Sequence, residues 1–436
     1  LLNFSFKNNL VYFKMSYSIS EKINPNRVPR EPFGLKAEAS LNRVTLNPSS
    51  ASPGETLYVN IPKLSENVVI LPGSVYLIFK LDIDGHPNNY FVNNLSRNLV
   101  NRLKVSFGGE TLQDTRRYDL FQTYQDLFLP AEDRVDGLRR GISDVNMRKL
   151  RANAKDKNTS DSVEVALAAI HEKNYCIQLD HPILNDHGAL YPRALTHDLK
   201  FEITLPDISD VVIHPDINGS YTKEEEKKKP TYKITNLELE YQCIRSEYLA
   251  RQAAESYQVG KVFFYENVMH IKEFNISKPN DELINLHINI PRRSMTGILL
   301  LFTPKHKLGE RKSEKFINPD ITSVNINIDG MPNRLYSKGM IESDFWEAAK
   351  RRFGKPTDAL KEKNFYENKF CLWIDLRTFH DNTIHGSGFH LNNTRDGVKL
   401  EIKRKTGGSG DIVCNMFAVA DAVMQIMNSN LNEIKY

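Results

Sequence analysis

The sequence has no uninterrupted apolar run near the roughly 18–20 residues of a membrane-spanning helix. The longest stretches, 298–302 and 416–427, are too short or are interrupted, so no helical span is expected. Cysteine is scarce, and the four residues, Cys176, Cys243, Cys371 and Cys414, lie far apart without a CxxC pair. That spacing indicates neither a zinc module nor a disulfide framework. Cys176, Cys243 and Cys414 sit in apolar or strand-like stretches, where a free thiol acts as a small hydrophobe, and a reducing compartment is expected. Charge of one sign is also missing: 58 basic against 54 acidic residues leave a formal +4, too mild for a dedicated nucleic-acid binder. No basic-then-apolar leader opens the chain. It starts at Leu1, with Met15 as the first plausible start, so 1–14 are read as upstream translation or an arm.

Catalytic signatures are absent too. There is no Walker A pattern, no HExxH and no GxSxG elbow. Gly386-Ser387-Gly388 and the TGGSG run at 406–410 lie beside strand-like segments and are read as loops. His380, His385 and His390 recur with Asp375 and Asp381 close by, so a metal site is conceivable. A five-residue spacing fits neither helix nor strand facing, and scattered loop histidines are the preferred reading. Asp180-His181 with Asp186-His187 is read the same way. Phe345, Trp346 and Phe353 are read as a buried stripe and not as a ligand box. No catalytic, cofactor-binding or metal residue is assigned.

What the sequence does contain is short β-type runs separated by turn residues. The length suits two or three domains. Residues 1–54, rich in Pro, Asn and Ser, read as an N-terminal arm, partly irregular. Strands are expected at 73–83, 103–107, 175–179, 199–205, 232–242, 261–276, 283–290, 296–302, 324–328, 370–376, 398–403 and 411–426. In 103–107, Leu103, Val105 and Phe107 alternate with Lys104 and Ser106, and Gly108-Gly109 follows as a tight turn. Helical spacing marks 117–129 as an amphipathic helix. Further helices are expected near 163–171, 246–257 and 341–353. Many short strands, few helices and long polar insertions argue for an all-β protein made of sandwiches.

The two halves echo each other. Strand 103–107, a glycine turn, a short β piece and the helix with Tyr118 and Phe121 match strand 324–328, Asp329-Gly330, a β piece and the helix with Phe345 and Trp346. Downstream, 198–203 (DLKFEI) matches 397–402 (GVKLEI), and each precedes a last long strand. The offset of about 200 residues suits two copies of one sandwich with unequal loops.

The run from Pro72-Gly73 through Asn93-Asn94-Leu95 and 103–109 to the helix at 118–129 resembles major capsid proteins of Polinton (Maverick) elements and adintoviruses. Virophage capsid proteins and adenovirus hexons are wider relatives of that group. Residues 373–376 (WIDL), 386–389 with Asn392, 398–402 and the final apolar strand resemble the same family's ending. The resemblance covers about 55–436. It implies two tandem eight-stranded jelly rolls (a double jelly roll), at 55–245 and 261–436, joined by a connecting helix at 246–260. Three copies would form a pseudo-hexagonal capsomer that tiles an icosahedral shell. Partners would be other copies and minor or penton capsid proteins. The location would be the virion, assembled in the host nucleus or cytoplasm, and the role would be structural, without enzyme activity or cofactor. Segments 131–173 and 207–230 depart from the resemblance and are expected to be tower or contact loops.

The basic clusters at 148–157, 305–315 and 403–405 are read as solvated faces. If they face a shell interior, they could meet packaged DNA non-specifically through phosphates. Two rival readings remain. One is a lectin-like tandem sandwich, which would be secreted and show aromatic rows at its loop tips. The other is a hydrolase on a sandwich scaffold, which needs clustered carboxylates or a nucleophile with its base.

Overall fold

Alternation at 103–107 becomes strand Arg102–Phe107, with Leu103, Val105 and Phe107 turned inward and the intervening side chains half exposed. The same rule repeats along the chain in the computed structural model, which describes residues 38–84, 89–130, 137–153, 163–185, 188–214, 230–276, 283–332, 338–354, 360–377, 387–392, 394–405 and 411–436.

In the first half, the eight principal strands occur in the order Glu38–Thr45, Thr56–Asn60, Tyr76–Asp84, Arg102–Phe107, Glu110–Arg116, Asn174–Gln178, Leu199–Thr204 and Thr231–Arg245. One sheet joins the first, eighth, third and sixth of these, and the other joins the second, seventh, fourth and fifth. The second half repeats the pattern with Lys261–Ile276, Leu283–Ile288, Met295–Pro304, Ile321–Ile328, Met331–Pro332, Cys371–Asp375, Val398–Arg404 and Ile412–Met427. Its sheets again run first–eighth–third–sixth and second–seventh–fourth–fifth, and all these pairings are antiparallel. Two packed four-stranded sheets in this order are a jelly roll. The fold is therefore a double jelly roll. The segments that echo in the sequence are its fourth, fifth, seventh and eighth strands in both copies.

Short strands add to this frame. Val68–Ile70 extends the first half's eighth strand, Met340–Ile341 pairs the second half's fourth strand beside Met331–Pro332, and Asn430–Lys435 folds back on the second half's eighth strand. Between the halves runs helix Glu247–Val259. Ser246 caps it, its Oγ accepting the Leu249 N–H at 3.4 Å, and Gly260 ends it at φ +131°. Such a cap and a terminal glycine satisfy helix-end groups that would otherwise lack partners.

Two expectations are corrected. Residues 38–54, read as part of an irregular arm, contain strand Glu38–Thr45, paired along its length with Thr231–Arg245. It was hidden because it carries no apolar alternation: it is an edge strand exposed on both faces. The helix expected to be amphipathic, Tyr118–Gln125, is buried at every position except Gln125. The second half covers it at Asp119, Phe121 and Tyr124. Tyr124 meets Phe316 at 4.9 Å and Phe353 at 5.2 Å, and Phe121 meets Phe417 at 5.8 Å. The core accordingly runs unbroken from one jelly roll into the other.

Candidate functional site: the seam and the free edges

Of the polar residues on the buried helix, Asp119 is matched across the seam. Asp119 is buried, and its Oδ2 accepts from Arg311 Nη2 at 2.8 Å and Arg117 Nη2 at 3.3 Å. Arg311 comes from the second half and also pairs with Asp210 and donates to Asn98 Oδ1 at 3.3 Å. Asp210 has Arg117 at 3.6 Å and His306 Nε2 at 3.3 Å as well. Burial alone would raise the Asp210 pKa, but the His306 hydrogen bond and the Arg311 and Arg117 charges outweigh it and hold the carboxyl well below the usual carboxylate range. The backbone is tied at the same place: the His214 N–H donates to the Gly309 carbonyl at 3.1 Å, and Ser313 Oγ to the Asn93 carbonyl at 3.0 Å. Two carboxylates, two guanidiniums and an imidazole thus pin a second-half loop into the first half.

The Asn-rich segment serves this seam. Asn94 takes φ +54° ahead of helix Leu95–Asn98, and Asn98 Nδ2 donates to the Asn94 carbonyl at 2.9 Å. Asn94 Nδ2 and Arg97 Nε both reach Asp126, at 2.8 and 3.1 Å. Burial works against the Arg97 charge, but Asp126 and Asp180 overcome it and raise its pKa. Asn94 is fully buried, so its N-x-S triplet presents no surface acceptor.

Strand edges meet at the seam too. The first half's fifth strand, Glu110–Arg116, lies against the second half's first strand, Lys261–Ile276. Tyr265 Oη and Asn267 Nδ2 donate to the Leu112 carbonyl at 3.1 and 2.8 Å, and Thr115 Oγ1 donates to the Val268 carbonyl at 2.5 Å. Each sandwich covers an edge that the other would leave bare.

The structure places the remaining candidates as follows. Asp375 is buried in a pair with Arg377, whose Nη2 lies 2.6 Å away. His390 is exposed, while His380, His385 and Asp381 lie outside the described residues. Asp180 pairs with Arg97 at 3.1 Å, and His181 is buried beside Tyr265 with ring centroids 5.3 Å apart. Asp186 and His187 are outside the described residues. Among the described residues no group of three or more His, Cys, Asp or Glu has metal-holding geometry. Gly388 donates its N–H to Ser294 Oγ at 3.0 Å and lies so close to the 294–295 backbone that a Cβ would fall 2.6 Å from it; this turn is packing. Run 406–410 lies outside the described residues. Phe345 and Trp346 are buried against Phe370 and Phe365. The cysteines are all buried and free, and burial pushes the Cys371 thiol up to about 12.

Reading the basic clusters as solvated needs correction. Arg311 is locked in the seam. Arg151 is buried, donating to the carbonyls of Leu138, Glu172 and Asn174. It lies 4.2 Å from the Tyr175 ring. Arg148 donates to the Phe91 carbonyl at 2.9 Å. Lys305, Lys307, Lys312, Lys403 and Lys405 are exposed, and Lys155 and Lys157 lie outside the described residues. No described helix is long and apolar enough to cross a membrane.

No family model matches the chain, and no curated protein does. Solved structures do. The capsid of PBCV-1 virus, in a quasi-atomic model, is similar with a TM-score of 0.60 at 13% identity, over 94% of this chain and 99% of that one. The Faustovirus major capsid protein gives 0.57 at 10% identity over 96% and 94%. The mavirus major capsid protein gives 0.52 at 9% identity over 95% and 94%. At such identities the likeness is one of fold.

Proposed function

We propose that this chain is the major capsid protein of a double jelly-roll shell, a structural protein that acts by binding copies of itself. One observation carries the reading: the two-sandwich arrangement shared with capsid structures extends over 94–96% of this chain. The seam supports it in physical terms. A shell unit must stay rigid under load, and here a continuous core and a buried ion network fuse the sandwiches.

The finer reading has three copies forming a pseudo-hexagonal capsomer, of the Polinton or adintovirus type, that tiles an icosahedral shell in the virion. The sandwiches at 55–245 and 261–436 would be its units, with strand Glu38–Thr45 added to the first. Minor or penton proteins would complete the shell. Exposed lysines such as Lys305 and Lys403 would give packaged DNA no more than salt-labile phosphate contact. Obligate interfaces of this kind bury about 2,000 Å² or more.

Size-exclusion chromatography with light scattering tests the reading. The expected mass is roughly three times the 50.1 kDa chain. A species that stays monomeric at micromolar concentration contradicts it.

A further inference from the structure

The first sandwich keeps an unfilled space in its interior. It lies between Ile177 of the sixth strand, an edge of one sheet, and Leu103, Phe201 and Ile203 of the facing sheet. All four side chains are buried, as is Val100 beside them. The space measures about 520 Å³ with its open mouth included, inside the roughly 300–1,000 Å³ of small-molecule sites. Protein cores hold few voids larger than a water molecule, and an empty one costs stability. The second sandwich closes the corresponding edge: its sixth strand, Cys371–Asp375, is buried at every position, and helix Asp344–Phe353 packs on it. In the first, Asn174 and Gln178 at the ends of the sixth strand stay half exposed. The mouth of the space is polar. Helix Leu95–Asn98 brings Arg97 to it, helix Tyr118–Gln125 brings Tyr118 and Gln122, and the turn Leu138–Arg140 brings Arg140. Gln122 Nε2 donates to Tyr118 Oη at 2.6 Å, which fixes both side chains. Arg97 holds Asp126 and Asp180, each at 3.1 Å. Arg139, next in the turn, acts with Arg140 and Asp180 on the same Tyr76 side chain. Three guanidiniums therefore stand near the mouth, and Arg97 already occupies both carboxylates, so the excess field there is positive.

We infer that this space is a binding site for a medium-chain fatty acid, with the alkyl chain between the two sheets and the carboxylate at Arg140. Three considerations fix the class of ligand. The walls are apolar and the polar groups gather at one end, so the ligand must be amphipathic. Packed sheets lie about 10 Å apart, and their inward side chains fill most of that gap, which suits a single unbranched chain better than a fused ring system. The positive mouth selects an anionic head. An arginine fork takes a carboxylate through two N–H groups, and with five donors Arg140 can accept one beside its existing contacts. A bound chain would fill the void and stabilise the folded state. The site is separate from the ion network of the seam and goes beyond the shell reading.

Isothermal titration calorimetry of the full chain with octanoate, below its micellar concentration, tests the inference. One saturable site per chain is expected, together with a raised thermal midpoint. Val100→Phe, which puts a ring into the space, should abolish the saturable binding and leave the far-ultraviolet spectrum unchanged. Arg140→Gln, at a half-exposed position, should weaken binding by about tenfold or more, the effect of one lost charge-assisted contact. Octanol has the same chain without the charge, and it should bind the unaltered protein about as weakly as octanoate binds Arg140→Gln. Absent or unsaturable heat, or binding that survives Val100→Phe intact, would overturn the site. Octanol binding as tightly as octanoate would overturn the assignment of a fatty acid. If Val100→Phe fails to fold, Arg140→Gln and the octanol comparison still decide the matter. None of these readouts depends on how many chains associate, so failure here leaves the shell reading standing.

Discussion

Arg311 shows how a residue can be misread when its partners are distant in sequence. It lies in a basic run that looks solvated, yet its carboxylates, Asp119 and Asp210, come from 192 and 101 positions away. Nothing local announces the pairing. Removing one member of a buried ion pair leaves the other charged and unpartnered, typically at a cost of 3–5 kcal/mol. Arg311→Met should therefore lower the unfolding free energy by about 3–5 kcal/mol in urea titrations, and adding Asp119→Asn should recover part of it. An unchanged midpoint for Arg311→Met would contradict the pin. Two buried groups contribute to the pH dependence. Asp210 has a depressed folded pKa, so its stabilising effect is complete above the ordinary value of about 3.9 and fades as pH falls below it. His270 is also depressed, because burial disfavours its charged form more than the hydrogen bond to Asn415 Oδ1 at 3.0 Å favours it. Below about pH 6.5 the unfolded chain binds a proton that the folded chain resists, so stability should fall from there downward. His270→Gln should flatten the upper limb of the pH–stability curve and Asp210→Asn the lower; a curve unaltered by either change would refute the assignment.

Elements were legible where burial is one-sided. Strands Arg102–Phe107 and Leu199–Thr204 alternate buried side chains with exposed or half-exposed ones, and that alternation marks them directly in the sequence. Elements whose environment comes from elsewhere were harder to read. Helix Tyr118–Gln125 looks amphipathic because Asp119, Gln122 and Thr123 are polar, but all three are buried, Asp119 against Arg311 of the second half. Among the described residues, strand Glu38–Thr45 has no buried face, so no periodicity reveals it. Strand Met295–Pro304 is buried on both sides and reads as a continuous apolar run, as doubly covered strands do. Its neighbour Cys371–Asp375 brings the Trp373 ring over Gly297, where a Cβ would lie 2.3 Å from Cζ2 and 2.6 Å from the Ile374 carbonyl oxygen. Only hydrogen fits there. Gly297→Ala should cost about 1–3 kcal/mol through overpacking, read as a lowered thermal midpoint, whereas Gly73→Ala, which meets nothing within 4 Å, should show only the strain of its positive φ.

At the scale of the whole molecule, the repeat visible in the sequence corresponds to two sandwiches of identical strand order, and the sequence could place its matched segments because turns and alternation are local. The seam was not legible, since it depends on how one half sits against the other. With a core continuous across that seam, the chain should unfold in a single calorimetric transition; two separate transitions would mean that the halves are independent. The central claim is that these fused sandwiches exist to join copies of themselves, and imaging purified full-length protein by electron cryomicroscopy tests it most directly. The account predicts particles with three chains and six sandwich lobes arranged around a centre. Particles holding one chain, or two chains related by a two-fold axis, would contradict it.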